Sequence, residues 1–354
     1  MTRAFVPCKK DGFEMKNVTN PIGWLRIQSS PFEIGAEMGR LGRAAVHEHL
    51  LQSAIWSQIT SDDHSASVTR MLENTQNRFP DIYEELRGLA AGLDLSLQDV
   101  AAWNCRGDIL TSVPDGCTTI QTPGPRIEIA HNEDGLPFFR GHCFILDAQP
   151  VQSTGFRAFC YPGSLAGHTM GWNDAGLVQA TNNLRLKNVE AGIPRMVLGR
   201  AVLAEPTLQG AVGVLANDPQ SGGFHMTLAQ SGQPMLLSVE YGGGGCSVVE
   251  IKTRSAHANH ALHLAQDGQR VTRSSQDRQI TADRMAGEMD KTALEILRDT
   301  SGPGLPIRRD DPRDPDEENT LATCIFDVLD TGVTWKVYSE KGGQPAYQGA
   351  LEPT

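Results

Sequence analysis

Residues 113–120 read Val113-Pro114-Asp115-Gly116-Cys117-Thr118-Thr119-Ile120. A turn-forming Asp-Gly pair leads straight into a cysteine, and β-branched residues follow. Gly116 tolerates backbone angles closed to other residues. A nucleophilic side chain just after a strained turn can attack the peptide bond that precedes it. The sulfur of Cys117 would add to the Gly116 carbonyl, the acyl group would shift from nitrogen to sulfur, and water would cleave the thioester. Cys117 would then carry a thiol and a free α-amine. Such an amine titrates near pKa ~8, so near neutral pH part of it is unprotonated and able to act as a general base. Nucleophile and base would belong to one residue. On this stretch alone, a buried structural thiol is the competing reading.

The sequence changes character on either side of this point. Upstream, "WLRIQS" (24–29) alternates like a short strand, and the pattern from Pro31 to about Gln58 is helical, with Ser30 placed to cap it. Residues 65–77 read as another helix. Residues 80–110 read as a helix, a glycine stop, a Ser96 cap with Asp99 in its first turn, and a helix again. Downstream, "CTTIQT", "RIEIAHN", "CFILDAQ", "FRAFCYPG", "HTMGWND" and "GLVQATNN" are short, β-prone and separated by Gly, Pro or Asp. Helices are expected over 194–204 and 208–215, strands at "FHMTLAQ", "PMLLSVEY" and "CSVVEIK", and helices again at "SQDRQITADRMAGEM" and "TALEILRDT". Two strands, "TLATCIFDVLD" and "VTWKVYSE", close the chain, and "DDPRDPDEEN" is an acidic loop. This succession predicts two antiparallel sheets packed face to face with helices outside.

The 354 residues are 39% hydrophobic and 21% charged, which fits a globular chain with a core. A net charge of −11 argues against a nucleic-acid binder. No secretory h-region and no 18-residue apolar run is seen, so a cytoplasmic protein without membrane contact is expected. The seven cysteines are scattered with no C-x-x-C pair, which suits reduced, mostly buried thiols. Gly242–Gly245 lacks the Lys-Ser/Thr of a phosphate loop and reads as a hairpin turn. His257, His260 and His263 cluster in sequence, but no carboxylate stands at a matching spacing, so no metal is expected there. His47 and His49 do not face each other on a helix.

"DGCTTI" followed by "AHNEDG" resembles the start of the catalytic chain in the acyl-coenzyme A:6-aminopenicillanic-acid acyltransferase family of N-terminal nucleophile hydrolases. The similarity continues in order through "PFEIGAEMGRLG" and "EELRGLAAGLDLSLQDVAAWN" upstream. Downstream it runs through "MGWNDAGLVQATNNL", "HANH", "SSQDRQ" and "TLATCIFDVLDTGVTWKV", and it spans roughly residues 25 to 350. The resemblance implies an α+β, four-layer αββα sandwich of two antiparallel sheets with a helical leading segment. It implies self-cleavage at Gly116–Cys117, giving a smaller chain (1–116) that stays bound to a larger one (117–354). Cys117 would be the nucleophile. Asp134 would orient the new amine, Asn259 would donate to the oxyanion, a contribution of ~3–4 kcal/mol, and Arg278 would favour the thiolate. Asn182 would line the pocket.

One departure stands out. Where the family often places an aromatic pair around Asn-x-Asp, this chain has Glu133 and Gly135. The pocket wall becomes smaller and more acidic, which points away from a penicillin-type substrate and towards a polar or amine-bearing acyl amide bound near Glu133. Substrates would be a small amide or acyl-coenzyme A, with no cofactor or metal required. A homo-oligomer is compatible with all of this. Two rivals stand beside it: a single-chain thiol hydrolase with His131 or His168 as base, and a non-catalytic small-molecule binding protein with Cys117 in its core.

Overall fold

A computed structural model describes residues 21–110, 113, 116–265, 268–302, 304–311, 313–339 and 343–353. Cys8 and the Pro114-Asp115 half of the expected turn lie outside them. The leading segment opens with β1 (Gly23–Ser29) and continues through α1 (Pro31–Glu48), α2 (Ala54–Ile59), α3 (Asp62–Arg78), α4 (Pro80–Leu93), α5 (Leu97–Asn104) and α6 (Arg106–Ile109). Ser30 Oγ caps α1 by accepting from Glu33 N, and Ser96 Oγ caps α5 by accepting from Asp99 N. The helix expected to run on to Gln58 breaks after Glu48. Ser53, in extended conformation, starts a new helix by accepting from Trp56 N at 3.2 Å. The bend lets Leu50, Trp56 and Ile59 all reach the core.

The strands and helices that follow are β2 (Gly116–Thr122), β3 (Ile127–Gly135), β4 (Phe144–Pro150), β5 (Phe156–Cys160), β6 (Met170–Asn173), β7 (Leu177–Leu184), α7 (Arg195–Val202), α8 (Leu208–Asn217), β8 (Gly223–Gln230), β9 (Leu236–Gly242), β10 (Gly245–Glu250), β11 (Ser255–His257), α9 (Arg273–Ala286), α10 (Ala293–Leu297), β12 (Asn319–Leu329), β13 (Gly332–Tyr338) and β14 (Tyr347–Leu351). They form an eight-stranded sheet, β1-β4-β5-β6-β7-β8-β9-β10, and a six-stranded sheet, β11-β2-β3-β12-β13-β14. The pairing is antiparallel except for β1 against β4, which is parallel. The leading segment therefore supplies an edge strand to the larger sheet as well as helices. Gly242 and Gly245 close the β9–β10 hairpin, as expected of a turn.

Alternation along the strands sorts the side chains into layers. On the outer face of the six-stranded sheet, Ile120, Ala130 and Ala256 pack against Ala282, Met285, Ile296 and Leu297 of α9 and α10. On the outer face of the other sheet, Met226, Leu228 and Val239 pack against α7 and α8. Between the sheets lies a core with two halves. One is apolar, built around Trp172, whose ring stands 4.7 Å from Trp335 and 5.4 Å from Phe326. The other half is polar and contains Thr119, His131, Asn182 and His225, all buried. The result is the expected four-layer αββα sandwich.

The leading helices are held at very short range. A Cβ at Gly35 of α1 would lie 1.9 Å from Glu85 O of α4, and one at Gly88 would lie 1.9 Å from Phe32 O. Gly35→Ala is expected to destabilise the protein by about 1–3 kcal/mol through overpacking. Gly213 in α8 has no atom within 4 Å of its would-be Cβ, so Gly213→Ala should be neutral or stabilise by up to ~1 kcal/mol. Chemical denaturation of the two variants checks the contrast.

Candidate active site

Two-residue periodicity decides where Cys117 points. On β2, Thr119 donates to Asn182 Oδ1 (2.7 Å) and Gln121 to Thr227 (2.7 Å), both on the opposite sheet. Thr118 and Ile120 face α9 instead. Cys117 shares the parity of Thr119 and Gln121, so its sulfur belongs to the polar space between the sheets. The residue is buried.

Its main chain is clamped from the α9 side. Cys117 N donates to Asn259 Oδ1 at 2.9 Å, and Cys117 O accepts from Arg278 Nη1. Arg278 also donates to Thr118 Oγ1 (3.0 Å), to Ser274 Oγ (3.1 Å) and to Asn259 Oδ1 (2.6 Å). Asn259 is fixed in turn: its N donates to Ser275 Oγ (2.8 Å) and its Nδ2 to Asn183 O (3.1 Å). With the chain uncut, then, the Asn259 amide hydrogens are directed at Asn183 and its oxygen at Cys117. Burial lowers the pKa of Arg278, and the nearby carboxylates of Glu318 and Asp134 oppose that shift.

Asp134 lies across β3 from Gly116 and shares the α9 face. It accepts from Thr320 Oγ1 at 2.6 Å, where an irregularity in the β12–β3 register places Thr320 opposite Asp134 and Ala322 opposite Glu133. Burial raises its pKa, and Arg278 pulls it back. Gly116 has a steric role too: a Cβ there would lie 2.6 Å from Glu318 Oε2. Glu318 is held by Arg309 (2.9 Å) and Arg185 (3.4 Å), and Arg185 also donates to Val113 O at 3.1 Å. The residue before Cys117 must therefore be small for this carboxylate to approach. Glu318, Arg309, Arg185 and Ser274 escaped the sequence reading. The only hint was the acidic loop in which Glu318 stands.

The side-chain face carries a second network. Glu133 Oε2 stands 3.5 Å from Cys117 Sγ and 3.0 Å from His131 Nε2, while Tyr161 donates its hydroxyl to Glu133 Oε1. His131 Nδ1 meets Thr119 Oγ1 at 2.8 Å. Asn182 joins this chain through Thr119 and anchors it by donating from Nδ2 to His257 O at 3.0 Å. His225 packs flat on His257, their ring centroids 3.4 Å apart, and reaches Asn182 Oδ1 at 3.0 Å. Tyr161 also explains the departure at positions 133 and 135, because a Cβ on Gly135 would lie 2.5 Å from its hydroxyl. Glycine at 135 makes room for the tyrosine that holds the carboxyl at 133. Tyr161 was not anticipated, although His131 and Glu133, two apart on a strand, were visibly on one face.

Of the two histidines considered as bases, His131 approaches the sulfur through Glu133. His168 bonds Leu165 O (2.7 Å) and sits edge-on to Tyr161. His257 and His263 both lie beside the buried carboxylate of Glu240, at 2.8 and 3.6 Å, a partner that sequence spacing did not reveal, while His260 turns to Ser275. Among the described residues, Cys117, His131 and Glu133 bring ligand atoms within 4.8 Å of one another, close enough to share a cation. A cation there would take the candidate nucleophile's own sulfur as a ligand. Cys105, Cys143 and Cys324 are ordinary core thiols whose pKa values burial pushes well up.

Arg278 ties the main-chain side of the site to α9. Arg278→Ala removes the nearest opposing charge from Asp134 and leaves a buried void, and is expected to cost about 3–5 kcal/mol in denaturant unfolding. Arg273→Ala, one turn away with its side chain 80% exposed, should stay within about 0.5 kcal/mol of wild type.

Residues 122–341 match the family described as acyl-coenzyme A:6-aminopenicillanic acid acyl-transferase. The match spans most of the chain, from the end of β2 to just past β13, and takes in Asp134, Asn259 and Arg278. Together with the four-layer sandwich that surrounds Cys117, this places the chain in the acyl-coenzyme A:6-aminopenicillanic acid acyltransferase family.

Proposed function

We propose that the chain is a self-processing N-terminal cysteine amidohydrolase/acyltransferase acting on linear amide or thioester substrates. The observation that carries this reading is the treatment of residue 117. Its amide nitrogen is bonded to Asn259, its carbonyl to Arg278, and its thiol faces a carboxyl in the polar layer. A core thiol needs none of these partners. Cleavage after Gly116 would free the Cys117 α-amine as general base. The thiolate would attack an acyl carbonyl, form a thioester and expel the amine or coenzyme A. Water would then complete hydrolysis, or an acceptor amine would complete transfer. Asp134 and Arg278 would hold the field around the new amine, and Asn259 would supply its amide to the oxyanion once released from Asn183.

Glu133 and Asn182 lie close to the acyl site but are committed to His131, Tyr161, Thr119 and His257. Their influence on an amine-bearing substrate would pass through this network. The contact of His131 with Glu133, itself beside Cys117, favours a second reading, a thiol hydrolase that works without cleavage.

Intact mass and denaturing electrophoresis separate the readings. Self-processing yields a fragment of 116 residues and one of 238, and Cys117→Ala leaves all 354 residues in one chain. An intact chain that still turns over amides supports the second reading. An intact chain whose Cys117 resists alkylation by iodoacetamide returns it to a binding protein.

A further inference from the structure

A nucleophile that must cut its own chain faces a difficulty. Until the cut is made, its α-nitrogen is a planar amide and cannot accept a proton, so the thiol needs another base. We propose that Glu133, backed by His131, takes the Cys117 thiol proton in the uncut chain. The inference rests on reading Cys117 as self-cleaving, and it concerns a step that reading leaves without a base.

The hydrogens in the network can be placed by elimination. His257 O can only accept, so the Asn182 atom 3.0 Å away is its NH2 group. The other amide atom is therefore Oδ1, also an acceptor. Thr119 lies 2.7 Å from it and must spend its single hydroxyl hydrogen there. His131 Nδ1, 2.8 Å from Thr119 Oγ1, must then be the donor in that contact. A neutral imidazole has one N–H, so His131 Nε2 presents a lone pair, 3.0 Å from Glu133 Oε2. Two lone pairs would repel at that separation, so a proton lies between ring and carboxyl. Burial pushes the His131 pKa down and disfavours separating charge between ring and carboxyl, so the proton rests on Glu133. The Tyr161 hydroxyl occupies Oε1, and Oε2 keeps a further lone pair facing the sulfur at 3.5 Å.

The chemistry then balances. The thiol proton passes to Glu133 Oε2 as the carboxyl's own proton passes to His131 Nε2, giving a thiolate and an imidazolium. The thiolate adds to the Gly116 carbonyl carbon. The imidazolium's proton returns through Glu133, which stands beside the sulfur, to the Cys117 nitrogen as that nitrogen loses its amide character. The carbon–nitrogen bond breaks, leaving the Gly116 acyl group on sulfur and a free α-amine. Water hydrolyses the thioester: one of its protons goes to sulfur, the other is released to solvent, and Gly116 ends as a carboxylate. The ring and carboxyl return to their starting state.

The test follows cleavage of the freshly synthesised full chain with time. Glu133→Gln keeps the shape and loses the base, and should slow cleavage at least ~100-fold. Hydroxylamine, which splits an accumulated thioester, should not restore it, because the block precedes thioester formation. Cleavage within threefold of wild type, or full restoration by hydroxylamine, overturns the proposal. If Glu133→Gln does not fold, His131→Gln decides on the same two readouts. Independently, nitrogen-15 spectra of the full-length Cys117→Ala chain should show His131 with its hydrogen on Nδ1. The opposite tautomer overturns the proton placement. Should wild type itself never cleave, the self-processing reading fails, while the histidine spectrum still judges the proton pair.

Discussion

Arg278 is the side chain on which the site depends. From α9 it reaches the carbonyl of Cys117, the hydroxyls of Thr118 and Ser274 and the oxygen of Asn259. Enclosing a guanidinium costs several kcal/mol of hydration, recovered only when its donors are satisfied and opposite charge lies near. Asp134 and Glu318 provide that charge, and Arg309 offsets the surplus by bonding Glu318 at 2.9 Å and Asp314 at 2.5 Å. Much of the buried charge around residue 116 follows from this one cation. In return, α9, β2 and the loop after β11 are locked together, and the sulfur's position relative to Asn259 is set by packing.

Strand alternation keeps two kinds of chemistry apart. Positions 116, 118 and 134 face α9 and the charged layer; positions 117, 119, 131 and 133 face the space between the sheets. The charged layer fixes geometry. In the inner layer, a histidine, a hydroxyl, an amide and a carboxyl are joined end to end away from water. In a low-dielectric space each bond of such a chain is stronger than it would be in water, and an unsatisfied group is correspondingly costly. That cost explains why Gly135 matters. A methyl group there would push Tyr161 off the carboxyl of Glu133 and leave a buried oxygen without its donor.

The layer architecture was legible because it rests on local signals: Ser30 and Ser96 as caps, the glycine turn at 242–245, and alternation along the strands. The break after Glu48 was hidden, since the apolar period continues through it and Ser53 resembles any polar surface residue. Cys117 stood out through its neighbours, and Asn259 and Arg278 through an ordered likeness to a family. Tyr161 could not be found that way. It follows the strand in "FRAFCYPG", and the carboxyl it serves lies 28 positions earlier, on the other sheet. Glu318 and Arg309 were obscured for a related reason: in sequence they belong to an acidic loop, and only the fold brings them under Gly116. Long-range polar pairs leave no periodicity, whereas helices and strands do.

The clamp on Cys117 N has a further consequence for self-processing. An amide nitrogen has no available lone pair and can only donate, which it does to Asn259 Oδ1. An amine at the same place could keep that donation and gain a lone pair, directed away from Asn259. The same contact therefore suits the nitrogen before and after a cut, and α9 need not move for residue 117 to gain a base of its own. Separate bases for the two stages also suit the burial of residue 117. The Glu133–His131 pair would work where water is excluded and proton transfer must be internal, and the amine would take over once the cut has freed it. A single base serving both stages would have to be enclosed for one and exposed for the other, and a closely packed sandwich offers no inexpensive way to alternate between those states.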